Sequence, residues 1–175
     1  MRIRIPILTI AVMVLPRLAA AQQAPVASAF RDYAREEGKN LVAAAELMPA
    51  DKYSFKPTPA QMSYGDIVNH LAGGNDMFCG LLGGFKAPTR EKLAPTATKE
   101  ARVARLKETF DFCNEALAKL DDSKLSEPIK LSFMKEPTTR AGLIIITTGD
   151  WADHYSQSAI YLRLNGILPP TAKKP

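Results

Sequence analysis

Asp150 and His154 are the residues of this chain whose types and spacing best suit metal binding. They lie four positions apart, and in a helix with about 3.6 residues per turn such side chains project side by side. A carboxylate among apolar side chains is costly unless it binds a cation, pairs with a counter-charge or takes up a proton. The two residues belong to a stripe at spacings of three and four with apolar ends, which consists of Leu143, Thr147, Asp150, His154, Gln157, Tyr161 and Leu164.

His70, the only other histidine, lies in a second helical pattern of the same kind. Ser63 suits the N-cap of that helix, and Asp66 three residues later resembles the partner in a capping box. The following turns place His70 at or beside the apolar seam. If the two helices face each other, two imidazoles and one carboxylate meet. Such a set leaves open positions on a catalytic divalent metal for water or substrate.

Two other interpretations of these residues stay open from the sequence. A lone histidine on an apolar face is commonly a hydrogen-bonded core residue, and His154 can simply pair with Asp150 as an i,i+4 contact. The three groups then form a buried polar network, completed by Gln157 or Asn69. The coincidence of both histidines and a carboxylate on inward-facing stripes supports the metal site, and it leaves the other two interpretations open.

Residues 1–21 have the pattern of a secretory signal peptide. Arg2 and Arg4 precede an apolar run over residues 5–15 that is too short to span a bilayer, and small residues at 19–21 suit a cleavage site. No cysteine follows this run, so a lipoprotein anchor is not indicated. We therefore expect an exported protein, periplasmic or extracellular, without a stable membrane anchor.

The charge of the exported part bears on whether the protein binds nucleic acid. The full chain has a formal net charge of +5, and loss of Arg2, Arg4 and Arg17 with the leader lowers it to +2. The remaining charges are interspersed, and the chain has a single tryptophan. Nothing in this pattern indicates nucleic-acid binding.

Cys79 and Cys113 are the only cysteines. In an oxidising compartment an even number of cysteines is usually bridged, so we predict a disulfide between them. In the alternative, Cys113 is a small core residue and Cys79 a metal ligand or nucleophile. Nine positions separate Cys79 from His70, which turns it about 180° away on a helix and makes it a poor fourth ligand.

Helical periodicity dominates residues 22–175, which we assign to one domain. Apolar residues recur at spacings of three and four over residues 26–48, 62–83, 98–120 and 139–165. These segments predict an all-α four-helix bundle. The second and third connections are long for antiparallel neighbours and predict at least one long crossover connection. Residues 129–133 alternate between apolar and polar, and we expect an extended stretch that packs across the bundle.

Three stretches of the sequence resemble the DinB-like family and its relatives among metal-dependent thiol transferases. They are YSFKPTP at residues 53–59, SYGDIVNHLA at 63–72, and the end of the chain from HYSQ at 154–157 to YLRLNGILPP at 161–170. The resemblance implies a four-helix bundle with a long crossover. It also implies a divalent metal, commonly zinc or nickel, held by one histidine from the second helix and two from the last.

On that pattern His70 matches the ligand from the second helix, and His154 matches the second ligand from the last helix. Asp150 stands where the family usually has histidine. A carboxylate favours Mn or Fe while still permitting Zn and Ni. The same difference also fits a degenerate, empty site.

Three functions follow from these alternatives. The first is a metal-dependent transferase or hydrolase acting on a small molecule, in which the ion activates a thiol or water. The second is a non-catalytic metal- or ligand-binding bundle of the cell envelope, and the third is a structural bundle. An open cavity at the three residues favours the first function, whereas a dry and fully hydrogen-bonded cluster favours the third.

Overall fold

The computed structural model describes residues 24–172, so the signal peptide predicted for residues 1–21 lies outside the described part of the chain. The described residues form α1 (Pro25–Leu47), α2 (Tyr64–Gly83), α3 (Lys99–Leu117) and α4 (Arg140–Leu164). The predicted all-α fold of four helices is confirmed, with bounds within three residues of those expected. None of the described helices is both long and apolar enough to cross a membrane.

Polar caps set the starts of three helices. The side-chain oxygens of Ser63, Thr98 and Thr139 each accept a hydrogen bond from the backbone N–H three residues later, at 3.2, 3.3 and 3.0 Å. Each such cap contributes about 1 kcal/mol of helix stability. The cap expected at Ser63 is therefore present, and it fixes where the helix that carries His70 begins.

α2 and α3 lie side by side and run in the same direction. Near their starts, the Nη1 of Arg102 donates to the carbonyl oxygen of Gly65 at 3.0 Å. Towards their ends, Cys79 and Cys113 form the disulfide that the cysteine count predicts, with 5.0 Å between their Cα atoms. Parallel neighbours need a connection that returns along the bundle, and residues 84–98 form this long crossover.

α4 runs antiparallel to α2. Tyr161, near the end of α4, donates from its hydroxyl to the carbonyl of Met62 just before α2, at 2.8 Å. Arg140, the first residue of α4, donates to the carbonyls of Leu81 and Leu82 near the end of α2. α1 contacts α3 and α4 and closes the bundle. The connection of residues 118–139 therefore stays at one end, and the α2–α3 connection is the crossover.

The segment after α3 forms a small hairpin. β1 (Pro128–Ile129) pairs antiparallel with β2 (Thr138–Thr139). The expected alternation holds for Ile129 and Leu131, whose side chains are buried. The chain then turns at residues 132–133, so the predicted extended stretch ends early and Phe133 is left 60% exposed. The turn carries Phe133 to Phe78 of α2, with 6.4 Å between the ring centroids.

Trp151 anchors α4 in the centre of the bundle. It is fully buried, and the rings of Phe30 and Phe110 each lie with their centroids 5.7 Å from it. Its Nε1 donates to the Oδ1 of Asn75 at 2.8 Å, and the Nδ2 of Asn75 donates to the hydroxyl of Thr109 at 3.1 Å. These bonds satisfy buried polar groups of three helices at once. They fix the rotation of α4 about its own axis.

Candidate metal centre

His70, Asp150 and His154 meet across the groove between α2 and α4. One donor atom from each lies within 4.8 Å of the other two. The Oδ1 of Asp150 is 3.5 Å from the Nε2 of His154 and 3.9 Å from the Nε2 of His70. The two imidazole rings meet edge to face, with centroids 4.9 Å apart. The residues chosen from sequence spacing therefore share one location, and we refer to them as the triad.

The anchoring of α4 explains the placement of its two triad residues. Because Trp151 points into the core, the neighbouring face with Asp150 and His154 turns towards α2. The i,i+4 spacing brings the carboxylate and the imidazole together on that face. The predicted stripe is inward-facing from Leu143 to Tyr161, but Leu164 at its end is exposed.

His70 is the most accessible member of the triad. Its side chain is 53% exposed, compared with 19% for Asp150 and 10% for His154. The sequence placed His70 at or beside the seam, and the structure places it beside the seam, because Ile67 and Leu71 occupy the buried positions. The triad is therefore closed on the side of α4 and open on the side of His70.

Gln157 holds the ring of His154 in a defined state. The Nε2 of Gln157 donates to the Oδ2 of Asp153 at 2.7 Å, so its Oε1 turns towards His154 and lies 3.3 Å from Nδ1. An acceptor at Nδ1 makes that nitrogen the donor, which leaves the lone pair of the neutral ring on Nε2. Hydrogen bonding to Asp150 raises the pKa of His154, although burial opposes the shift. A proton and a cation therefore compete for Nε2.

The donor set and its spacing fit a divalent ion. Two imidazole nitrogens and one carboxylate suit Zn, Ni, Mn or Fe. Ligand atoms at about 2.0 to 2.2 Å from one ion lie about 3 to 4 Å from each other. Both distances to Asp150, 3.5 and 3.9 Å, fall in this range. The three donor atoms as a set lie within 4.8 Å of one another, and the half-exposed side chain of His70 has room to move closer to the other two.

The comparison with known families agrees with this architecture. The sequence matches the DinB superfamily over residues 33–158. This chain belongs to the DinB superfamily. The resemblance to the DinB-like family is thereby confirmed, and the four-helix fold that it implied is the fold described above. A search of the curated proteins finds no significant match.

Solved structures of DinB-like proteins share this bundle. A DinB-like protein from Bacillus subtilis superposes with a TM-score of 0.66 at 21% identity, over 83% of this chain and 99% of its own. One from Bacillus cereus gives a TM-score of 0.68 at 15% identity, over 82% and 95%. A conserved protein from Enterococcus faecalis gives 0.61 at 15%, over 79% and 96%. At these identities the similarity shows the fold alone.

In this member of the DinB superfamily an apolar cavity of about 520 Å³ opens beside the triad. His70 and Asp150 lie at its lining, and among the described residues they are the only ionisable ones there. Sequence reasoning missed this cavity, since it needs the turn that carries Phe133 over to α2. The other lining residues are Asn69, Gly73, Gly74, Met77, Phe78, Phe133 and Ile146.

A second cavity of about 410 Å³, bordered by several charged residues, lies on the neighbouring side of α2 and shares Asn69 and Gly73 with the apolar one. Arg90 lies in its lining and donates hydrogen bonds to Asp76 at 2.7 Å and to Glu108 at 3.2 Å. Within the described residues, the second carboxylate oxygen of Asp76 and the amide oxygen of Asn69 are buried without a hydrogen-bond partner. Asn69 therefore does not complete a polar network around the triad.

Proposed function

We propose that this protein is a metal-dependent transferase or hydrolase that acts on a small molecule. In this proposal His70, Asp150 and His154 hold a divalent ion, which is Zn, Ni, Mn or Fe. The observation that carries the proposal is the open cavity of about 520 Å³ with His70 and Asp150 in its lining. A ligand in that cavity lies against His70 and Asp150, two of the three residues of the triad.

A divalent ion bound here supplies a Lewis acid that lowers the pKa of a coordinated thiol or water. The residues of the chain supply the rest. His154 presents Nε2 because Gln157 engages its other nitrogen. Asp150 contributes a negative charge, which favours Mn or Fe more than a third histidine would.

The alternative is a non-catalytic metal- or ligand-binding bundle, or a structural one in which the triad is only a polar network. The structural alternative is favoured by the contact between Asp150 and His154 and by the hydrogen bond between His154 and Gln157. Against it, His70 is half exposed, and Asn69 makes no hydrogen bond through its amide oxygen to any described residue. A network kept for stability would be buried and completed by such partners.

We also infer that residues 22–175 form one exported domain. The disulfide between Cys79 and Cys113 supports export, because such bonds persist mainly in oxidising compartments. The signal pattern of residues 1–21 supports it independently. Mass spectrometry of the protein isolated from its own host should show an N-terminus near residue 22. Protein that is found outside the cytoplasm with residues 1–21 still attached would contradict cleavage. Protein that is found only in the cytoplasm would contradict export.

Metal stoichiometry tests the proposed site. Elemental analysis and metal titration of the processed wild type should give about one divalent ion per chain. His154→Ala should abolish this binding while the bundle stays folded, because the apolar core does not involve the ion. Asp111→Ala is the matched control, since it removes an exposed carboxylate from α3 and should bind metal as the wild type does. A wild type that binds no ion would overturn the metal function and leave the structural alternative.

A further inference from the structure

The apolar cavity has a composition that selects one kind of ligand. Met77 and Phe78 of α2, Ile146 of α4 and Phe133 of the hairpin loop form its walls. His70 and Asp150 of the triad lie along one side. No lysine or arginine of the described chain lines it. Its volume of about 520 Å³ is that of a site for a small organic molecule, since such sites measure roughly 300 to 1,000 Å³.

Phe133 has little protein contact for so large an apolar side chain. It is 60% exposed, and its aromatic contact among the described residues is the edge-to-face one with Phe78. One part of the ring lines the cavity while the rest faces solvent. An apolar ligand in the cavity would cover more of this ring and gain from its removal from water.

Gly73 leaves space that no other described part of the chain fills. A Cβ at this position would meet nothing within 4 Å, whereas one at Gly83 would collide with the backbone of Ala116. Glycine within a helix costs about 1 kcal/mol relative to alanine. Close helix packing accounts for Gly83 but not for Gly73. The space that Gly73 leaves open belongs to the cavities beside the triad.

We propose that this cavity binds the apolar body of the substrate, and that Gly73 and Phe133 determine the size and shape of the apolar group that fits. The inference rests on the proposed function and names its substrate class. That class is a small molecule with one metal-binding head and an aromatic or branched aliphatic body. The lining does not favour polyanionic molecules such as nucleotides, because its described residues include no lysine or arginine and already include the carboxylate of Asp150.

Two hydroxamates with the same metal-binding head test the proposal. Acetohydroxamate reaches only the ion, whereas benzohydroxamate adds an aromatic body. On protein loaded with Co²⁺, calorimetry should show benzohydroxamate binding at least about tenfold more tightly, from the burial of its ring. Gly73→Leu fills the cavity and should remove this advantage, while the affinity for acetohydroxamate stays within about twofold. Phe133→Ala should reduce the advantage severalfold.

Two control variants match these changes outside the cavity. A Cβ at Gly149 would also meet nothing within 4 Å, so Gly149→Leu adds the same side chain to the other helix. Leu168 is 60% exposed, as Phe133 is, so Leu168→Ala removes a comparable exposed apolar group. Both controls should keep the full preference for benzohydroxamate. Circular dichroism and metal titration confirm that each variant is folded and loaded.

The outcomes separate the pocket from the metal site. If the loaded wild type binds both hydroxamates equally, or if Gly73→Leu leaves the preference intact, the pocket is overturned while the metal function stands. If the wild type binds no metal, the proposed function fails, and the cavity is then tested with 1-anilinonaphthalene-8-sulfonate alone. Fluorescence enhancement that Gly73→Leu abolishes and Gly149→Leu retains supports an apolar pocket. Enhancement that is absent, or equal in both variants, overturns it.

Discussion

Asp150 sets the charge of the triad. A carboxylate carries a full negative charge and hard oxygen donors, where a histidine would bring a neutral nitrogen. In the structure it also bridges the two histidines, with its Oδ1 3.5 Å from His154 and 3.9 Å from His70. If the triad binds an ion as we propose, its metal preference depends on Asp150 more than on either imidazole.

Replacing that carboxylate should shift the metal preference in a defined direction. Asp150→His provides three imidazoles, so we expect Zn or Ni binding to be retained or tightened and Mn binding to weaken by about tenfold or more. Competition titrations with a chelator measure all three affinities. Asp111→His, on the exposed face of α3, should change none of them. Loss of Zn and Ni binding in Asp150→His would show that the helix face cannot present a third imidazole to the ion.

Single residues were predictable where spacing alone decides their position. Asp150 and His154 lie together because an i,i+4 pair on a helix must. The exposure of His70 was less certain from the sequence, because adjacent residues of a helix lie about 100° apart around its axis. A residue next to a buried position can therefore be either buried or exposed. Phe133 could not be placed, since its contact with Phe78 depends on a turn that breaks the strand-like alternation.

At the scale of the elements, α2 connects the stability of the bundle to the site. One face carries His70, and another is joined to α3 through Cys79–Cys113 and through the bond from Asn75 to Thr109. Asn75 also accepts from Trp151 of α4. The position of α2 against α4 is therefore held by noncovalent contacts that do not require the disulfide.

Removal of the disulfide should lower stability without removing the site. Cys79→Ala/Cys113→Ala opens a loop with a sequence separation of 34 residues. In the chain-entropy description this lowers the free energy of unfolding by about 3 to 4 kcal/mol. Urea unfolding measures the loss. Urea unfolding of the wild type in dithiothreitol should show the same loss, because the disulfide is then reduced, whereas dithiothreitol should not change the stability of the double variant. Metal stoichiometry should stay unchanged. Failure of the folded double variant to bind metal would show that the disulfide positions His70.

Helix existence and helix order were not equally predictable. The four stripes located the helices to within three residues, because a buried face requires apolar spacings of three and four. The connection lengths predicted at least one crossover but did not say which connection crosses. That choice depends on α2 and α3 packing side by side in parallel, and contacts such as Arg102 to Gly65 are not visible as a sequence pattern.

At the scale of the whole molecule, the core and the triad are separate. Trp151 and the aromatic rings around it fill the centre, whereas the triad lies at the rim of a groove with His70 half exposed. Folding therefore draws on apolar burial and on the disulfide, and an ion held by the triad would add stability only by binding to the folded state.

Metal removal should consequently leave the bundle folded. Trp151, the single tryptophan of the chain, reports on the core, so its emission spectrum and the far-ultraviolet circular dichroism should not change after chelation. Thermal unfolding should still respond, since a ligand at one hundred times its Kd stabilises the folded state by about 2.7 kcal/mol. The shift should disappear in His154→Ala, whose melting should be the same with and without metal. Collapse of the circular dichroism on chelation would instead show that the ion is part of the folding core, and the separation of core and triad would then be wrong.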